Sequence, residues 1–123
     1  MFELRVTTGF AAAHQLSMVG RKCENLHGHN WKIEVYVRGE KLDSGGVLID
    51  FGVVKAHVRE LMETLDHKFL NELPYFQNAC PPSSEHIARY VATGLQERLR
   101  DHAVTVSRVT AWESEDAAAS YIP

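Results

Sequence analysis

The sequence predicts an α+β fold in which two helices pack on one face of an antiparallel sheet. Residues 2–14 and 29–40 alternate apolar and polar side chains with a period of two, which is typical of half-buried strands. Apolar residues recur at helical spacing over 51–65 and again in a second helix that ends near residue 100. A β-branched run at 104–112 and a short apolar run after it complete the order β-β-α-α-β-β.

Length and composition indicate one soluble domain over residues 1–123. The net charge of −3 and the lack of a dense Lys/Arg block disfavour a nucleic-acid partner. No apolar run reaches membrane-spanning length, so no membrane partner is expected. The first residues lack the pattern of a signal peptide, and we therefore expect a cytoplasmic protein.

A pair of histidines at the start of the second strand is the strongest candidate for chemistry. His27 and His29 are two residues apart, so on an extended strand they point to the same side, roughly 6.5–7 Å apart. The two long strands are expected to lie antiparallel, which brings His14 towards this pair. Three histidines can hold a catalytic zinc ion and leave one coordination position open. The alternative is that Cys23, His27 and His29 are ordinary polar residues of a loop that enters the strand.

Both predicted helices have capping residues at their starts. Asp50 is a good N-cap for the first helix, and Ser83 or Ser84 can cap the second. Glu85 then lies in the first turn, where the helix dipole favours an acidic side chain. Three other histidines occupy ordinary helix positions and are predicted to be structural: His57, His86 and His102.

Three further residues are candidates for proton chemistry. Asp66 precedes His67 directly, and because neighbouring side chains point apart in regular structure, a hydrogen bond between them would require a bend. A capped loop is the alternative for this pair. Cys23 is predicted to be a reactive or metal-ligating thiol, whereas Cys80 beside Pro81 is predicted to be structural.

Six motifs follow one another along the chain: Phe10-Ala11-Ala12-Ala13-His14, Cys23-x3-His27-Gly28-His29, Ile49-Asp50-Phe51, Leu65-Asp66-His67-x2-Leu70-Asn71, Pro82-Ser83-Ser84-Glu85 and Trp112-Glu113. In this order they resemble the motifs of the 6-pyruvoyl-tetrahydropterin synthase family, and the resemblance runs from residue 10 to residue 113. It implies the tunnelling fold (T-fold) and a homo-oligomer, commonly a hexamer, with active sites between subunits.

The resemblance also implies roles for the candidate residues. His14, His27 and His29 would hold Zn²⁺ as the cofactor, and Cys23 would take a proton as an unbound thiolate. Cys23 could instead be a fourth ligand, which would close the coordination shell and suit a structural site. His67, oriented by Asp66 or by Glu113, would relay the proton.

The implied small-molecule partner is a pterin. Glu113 could accept two hydrogen bonds from the amino-pyrimidinone edge of the pterin, with Glu85 and Ser84 as further candidate contacts. Arg21, Lys22 and Lys68 are candidates for binding a triphosphate.

The gap between Cys23 and His27 separates subfamilies. Three intervening residues resemble the bacterial enzymes of the queuosine pathway, which convert 7,8-dihydroneopterin triphosphate to 6-carboxytetrahydropterin with release of acetaldehyde and triphosphate. The alternatives are a pyruvoyl-forming synthase, a metal-independent pterin aldolase or cyclohydrolase of the same fold, and a non-catalytic zinc-stabilised binding module.

Overall fold

A computed structural model describes residues 1–17 and 25–123. Five strands form one sheet in the order β3-β1-β2-β4-β5, with the bounds β1 Phe2–His14, β2 His27–Gly39, β3 Lys68–Phe69, β4 Thr105–Ser114 and β5 Ala117–Tyr121. The helices are α1, Phe51–Glu63, and α2, Ser84–Arg98, and two 3-10 turns lie at Leu70–Glu72 and Pro74–Phe76. The predicted α+β architecture is confirmed.

The long strands are antiparallel, but the sheet also contains a parallel pair that the sequence did not reveal. In β3, Lys68 and Phe69 pair in parallel with Ala12 and Ala13 of β1. A strand of two residues is too short to show an alternation of its own. It forms because the chain after α1 returns to β1, where the His67 N–H donates to the Ala11 carbonyl at 2.6 Å.

One face of the sheet forms the hydrophobic core with the two helices. In β2, Trp31, Ile33 and Val35 are each 2% exposed or less, as their alternation predicted. Val58 of α1 and Leu95 of α2 are buried against the same core. Complete burial of one such aliphatic side chain contributes roughly 1.5–3 kcal/mol, so this layer stabilises the sheet against the helices.

The helix caps agree with the sequence prediction, and the structure shows which of the two candidate serines caps the second helix. The Asp50 side chain accepts a hydrogen bond from the Gly52 N–H at 2.7 Å at the start of α1. At the start of α2 the cap is Ser83, whose Oγ accepts from the His86 N–H at 3.2 Å. Helix α1 ends at Glu63, two residues before the predicted end, and the Thr64 hydroxyl donates to the Leu61 carbonyl there.

Gly9 permits a close approach between β1 and β2. A Cβ atom at this position would lie 2.6 Å from the carbonyl oxygen of Trp31. Because that oxygen belongs to the backbone of a central strand, it cannot move aside without disturbing the pairing of the two long strands. The glycine is therefore required by packing.

The Gly9→Ala substitution is expected to lower the free energy of unfolding by about 1–3 kcal/mol, because overpacking of a rigid site costs that much. Chemical denaturation in the presence of a chelator measures the change. Gly28→Ala is the matched control in β2, since its nearest contact for a new Cβ is 3.8 Å away. Equal stabilities of the two variants would contradict the packing explanation.

No helix in the described part of the chain is both long enough and apolar enough to cross a membrane.

Candidate metal centre

The antiparallel register of β1 and β2 brings three histidines to one end of the sheet. His14 is directly opposite His27, and Ala12 is opposite His29. The ring centroids lie 4.8 Å apart for His14 and His27 and 4.4 Å apart for His27 and His29. The predicted approach of His14 to the histidine pair is confirmed.

Glu113, near the end of β4, completes this cluster. Its Oε1 atom lies 3.0 Å from His14 Nε2, 2.9 Å from His29 Nε2 and 3.8 Å from His27 Nε2. The four ligand atoms all lie within 4.8 Å of one another. The three Nε2 atoms therefore converge on one carboxylate oxygen.

Hydrogen bonds on the other side of two rings hold them in this orientation. The Nδ1 atom of His14 lies 2.8 Å from the Pro82 carbonyl oxygen, and that of His27 lies 2.6 Å from the Asn25 carbonyl oxygen. Because a carbonyl only accepts, each Nδ1 carries the proton. Such outer contacts are the ones that orient histidines bound to metals.

The donor set fits a cation at the convergence point. A neutral imidazole donates from one nitrogen only, yet His14 faces an acceptor oxygen at both of its nitrogens. A metal ion on the Nε2 side could bind the lone pairs of the three Nε2 atoms and the carboxylate oxygen at the same time. Three imidazoles and one carboxylate are typical ligands of zinc, and the His14 side chain, at 1% exposure, is itself shielded from water.

The Asp66-His67 pair lies at the same end of β1. His67 has a φ of 56°, which supplies the bend that the sequence analysis required, and histidine is among the residues enriched in this region. Its Nδ1 lies 2.8 Å from Asp66 Oδ2. Asp66, rather than Glu113, is thus the carboxylate in contact with His67.

Asp66 is held by the backbone of β1. The Ala11 N–H donates to Asp66 Oδ1 at 2.9 Å, and this hydrogen bond, followed by the His67 side chain, holds the pKa of the Asp66 carboxyl below its usual value. A carboxylate with a lowered pKa in the folded state stabilises the fold above its ordinary pKa. That contribution is lost as the pH falls through the lowered value.

Asp66→Asn is expected to be less stable than the native chain near neutral pH, because asparagine keeps the acceptor oxygen but loses the charge. The difference should shrink as the pH falls from neutral through the lowered pKa of the Asp66 carboxyl, below which the native side chain is also neutral. Urea unfolding of both metal-free proteins across this range measures it. A difference that is constant with pH would rule out the charged carboxylate as its source.

Asn71 is a positioning residue that the sequence analysis did not assign. Its side chain accepts from the Gln15 N–H at 2.9 Å and donates to the Gln15 carbonyl at 2.7 Å. This double contact fixes the backbone immediately after His14. The signal in the sequence was its place at the end of the motif Leu65-Asp66-His67-x2-Leu70-Asn71, and a motif alone does not name its partner.

The remaining predicted site residues are distributed as follows. Ser84 and Glu85 open α2, two and three residues after Pro82, whose carbonyl oxygen contacts His14. Cys23 lies outside the described residues, as do Arg21 and Lys22. Cys80 is half-buried, and the Arg89 guanidinium approaches its sulfur at 3.6 Å.

The fold and the site define a class of protein: a small α+β domain with a candidate metal site of three histidines and a carboxylate at one end of its sheet. The model of the family described as 6-pyruvoyl tetrahydropterin synthase matches residues 3–123. The chain belongs to this family, as its motifs indicated, and is thus a member of a family of tetrahydropterin synthases.

Individual relatives agree with this assignment, and they include proteins named for two different activities. The chain is 39% identical over 93 residues to the 6-carboxy-5,6,7,8-tetrahydropterin synthase of Synechocystis, covering 72% of this chain and 70% of that protein. It is 32% identical over 107 residues to the dihydroneopterin monophosphate aldolase of Pyrococcus furiosus, covering 87% of this chain and 85% of that one.

Among solved structures, the 6-pyruvoyl tetrahydropterin synthase of Caenorhabditis elegans superposes with a TM-score of 0.86 at 23% identity. The match covers 99% of this chain and 95% of that one. At this identity the likeness shows the fold, which is the predicted T-fold.

Proposed function

We propose that this protein is a zinc-dependent 6-carboxy-5,6,7,8-tetrahydropterin synthase of queuosine biosynthesis. Its substrate would be 7,8-dihydroneopterin triphosphate, and its products 6-carboxytetrahydropterin, acetaldehyde and triphosphate. The convergence of three histidine Nε2 atoms and the Glu113 carboxylate at one point supports the metal-dependent reaction most strongly. The three residues between Cys23 and His27 and the Synechocystis relative favour the carboxy-forming product.

His14, His27 and His29 would hold the zinc ion. When bound, zinc supplies Lewis acidity towards the hydroxyl and developing carbonyl oxygens of the substrate side chain, which is worth several kcal/mol. The contribution of the chain is to present three neutral imidazoles. Hydrogen bonds from His14 and His27 to backbone carbonyls keep the Nδ1 protons away from the metal side.

Cys23 is proposed to take a proton from the substrate side chain. It precedes His27 by four residues, which keeps it close to the metal ligand in the chain. A nearby positive charge favours the thiolate form, which is the reactive form of cysteine. A thiolate that is free of the metal can act as a general base.

His67 and Asp66 are proposed to return or relay that proton. The Asp66 carboxylate fixes the His67 ring through Nδ1, which leaves Nε2 as the atom that exchanges protons. The His67 side chain is 83% exposed in the single chain. Such exposure suits a residue that completes a site with a neighbouring subunit, as in the proposed hexamer.

Glu113 is proposed to serve the site together with Ser84 and Glu85. One of its oxygens contacts the histidines, and its side chain is 31% exposed, so it is partly accessible from outside the cluster. Recognition of the pterin edge needs two parallel hydrogen bonds to one carboxylate. If Glu113 binds the pterin in this way, both of its oxygens are used by the substrate. The Glu113 carboxylate would then have to move away from the histidines, and the three histidines alone would hold the metal.

His67→Ala is expected to reduce turnover about 100-fold, at the lower end of the range for loss of a general acid or base. Zinc content should be unchanged, because His67 is not among the described metal-site residues. Steady-state kinetics together with metal analysis measure both. Full turnover in this variant would remove His67 from the mechanism.

The Pyrococcus relative provides a second candidate function, aldol cleavage of a dihydroneopterin monophosphate. Product identification separates the candidates. With the triphosphate substrate, release of acetaldehyde and triphosphate supports the proposal, whereas a pyruvoyl product without acetaldehyde supports a pyruvoyl-forming synthase. Cleavage of the monophosphate alone, or undiminished turnover after removal of zinc, would contradict the proposed function.

The proposal includes a cytoplasmic homo-oligomer without a nucleic-acid or membrane partner. Light scattering on the purified protein determines the oligomer, and a hexamer is the expected result.

A further inference from the structure

His86 occupies a position that local helix stability does not explain. It is the third residue of α2 after the cap Ser83, where an acidic or amide side chain would favour the helix terminus. A positively charged ring there would oppose the helix dipole. Instead, His86 Nδ1 lies 2.6 Å from the Pro81 carbonyl oxygen, two residues before the cap.

The Pro81 carbonyl is fixed by two donors. Besides His86 Nδ1, the Ser83 N–H donates to it at 2.8 Å. The peptide that joins Pro81 to Pro82 is therefore held in one orientation. The ring of Pro82 restricts its φ angle, and the hydrogen bond from the Ser83 N–H back to the Pro81 carbonyl restricts its ψ angle, so the direction of the Pro82 carbonyl is largely determined.

The Pro82 carbonyl is the group that orients His14. It accepts from His14 Nδ1 at 2.8 Å, and the Nε2 atom on the opposite side of that ring belongs to the histidine cluster. Both His14 and Pro82 are buried, so neither has solvent as an alternative partner. A continuous series of contacts thus joins the His86 ring to a candidate metal ligand.

We propose that His86 is a positioning residue of the metal centre, which acts through Pro81 and Pro82 on the orientation of His14. The proposal rests on the proposed function in one respect, namely that the cluster binds zinc. Among the described residues, the hydrogen bonds of His86 go to Ser83 and Pro81 rather than to the four cluster residues, and His86 is proposed to take no part in the chemistry.

Zinc affinity provides the first test, measured by competition with a chelator. Loss of a direct outer-shell partner typically weakens metal binding about 10–100-fold. Since His86 acts one step further out, His86→Ala is expected to weaken zinc binding about threefold to tenfold. His86→Asn, whose side-chain amide can donate in place of Nδ1, should restore the affinity to within about twofold of native. His102→Ala, which removes an exposed histidine after the same helix, is the matched control.

A second measurement uses metal-free protein and does not depend on zinc binding. The proton on His14 Nδ1, buried and bonded to a carbonyl, should give a downfield, slowly exchanging NMR signal. In His86→Ala this signal should shift and exchange faster, whereas in His86→Asn and His102→Ala it should remain as in the native protein.

The outcomes separate this proposal from the proposed function. If the native protein binds no zinc but the His14 signal responds to His86 as described, the metal function fails and the positioning contact stands. If zinc binds and His86→Ala leaves both affinity and signal unchanged, the positioning role is overturned. Equal weakening by His86→Ala and His86→Asn would also overturn it, since a donor at this position would then be irrelevant.

Discussion

Replacement of His14 by alanine is expected to abolish stoichiometric zinc binding and to reduce turnover by about 1,000-fold or more. The estimate follows from several kcal/mol of Lewis-acid stabilisation, with about 1.4 kcal/mol for each tenfold in rate. His14 has the largest expected effect because it is the buried member of the cluster and contacts Glu113 at 3.0 Å. Metal analysis after dialysis and single-turnover kinetics measure the two losses.

His102→Ala is the control for this experiment, because it removes an exposed imidazole that lies outside the cluster. It should retain zinc and turnover. A His14→Ala protein that still binds one zinc per chain with native affinity would show that the metal is held elsewhere.

Replacement of Cys23 by alanine is expected to reduce turnover by about 100-fold to 10,000-fold, the range for loss of a general base. Zinc content should stay at the native level, because the thiolate is proposed to handle a proton while the three histidines hold the metal. The combination of lost turnover and retained metal is the distinguishing result. Kinetics and metal analysis on the same preparation provide it.

Cys80→Ala is the matched control, since Cys80 contacts Arg89 and belongs to no described metal cluster. It should behave as the native protein does. Loss of zinc together with turnover in Cys23→Ala would identify Cys23 as a ligand and would favour a closed, structural site.

The sequence was sufficient to predict the parts of the fold that follow a simple period. Alternation in β1 and β2 placed Trp31 and Ile33 in the core and left His29 on the same side of the strand. Since the two strands are antiparallel neighbours in sequence, the approach of His14 to His27 and His29 could be predicted, although the register that pairs His14 with His27 could not. Periodic burial and local pairing are the interactions that a single sequence records most directly.

Long-range contacts through the backbone could not be predicted in this way. The pairing of Lys68 with Ala12 and the contact of His14 with the Pro82 carbonyl join segments more than 50 residues apart. Any residue can supply a backbone carbonyl, so the identity of a side chain does not reveal such a partner. His86 was assigned a structural role for the same reason, because its contact with Pro81 is also to a carbonyl.

Glu113 illustrates how a residue can be selected for a site while its contacts remain undetermined. The motifs selected it as a carboxylate for the pterin edge or for His67. The structure places its Oε1 atom among the histidines, with Asp66 beside His67 instead. Spacing along one strand identifies which face a carboxylate occupies, but its neighbours depend on how three different strands meet.

Zinc X-ray absorption spectroscopy on the native protein tests the central claim, a three-histidine site with Cys23 unbound. The predicted first shell contains only nitrogen and oxygen atoms, with imidazole nitrogens at about 2.0–2.1 Å. A sulfur scatterer at about 2.3 Å would show that a cysteine is bound to the metal and would contradict the claim.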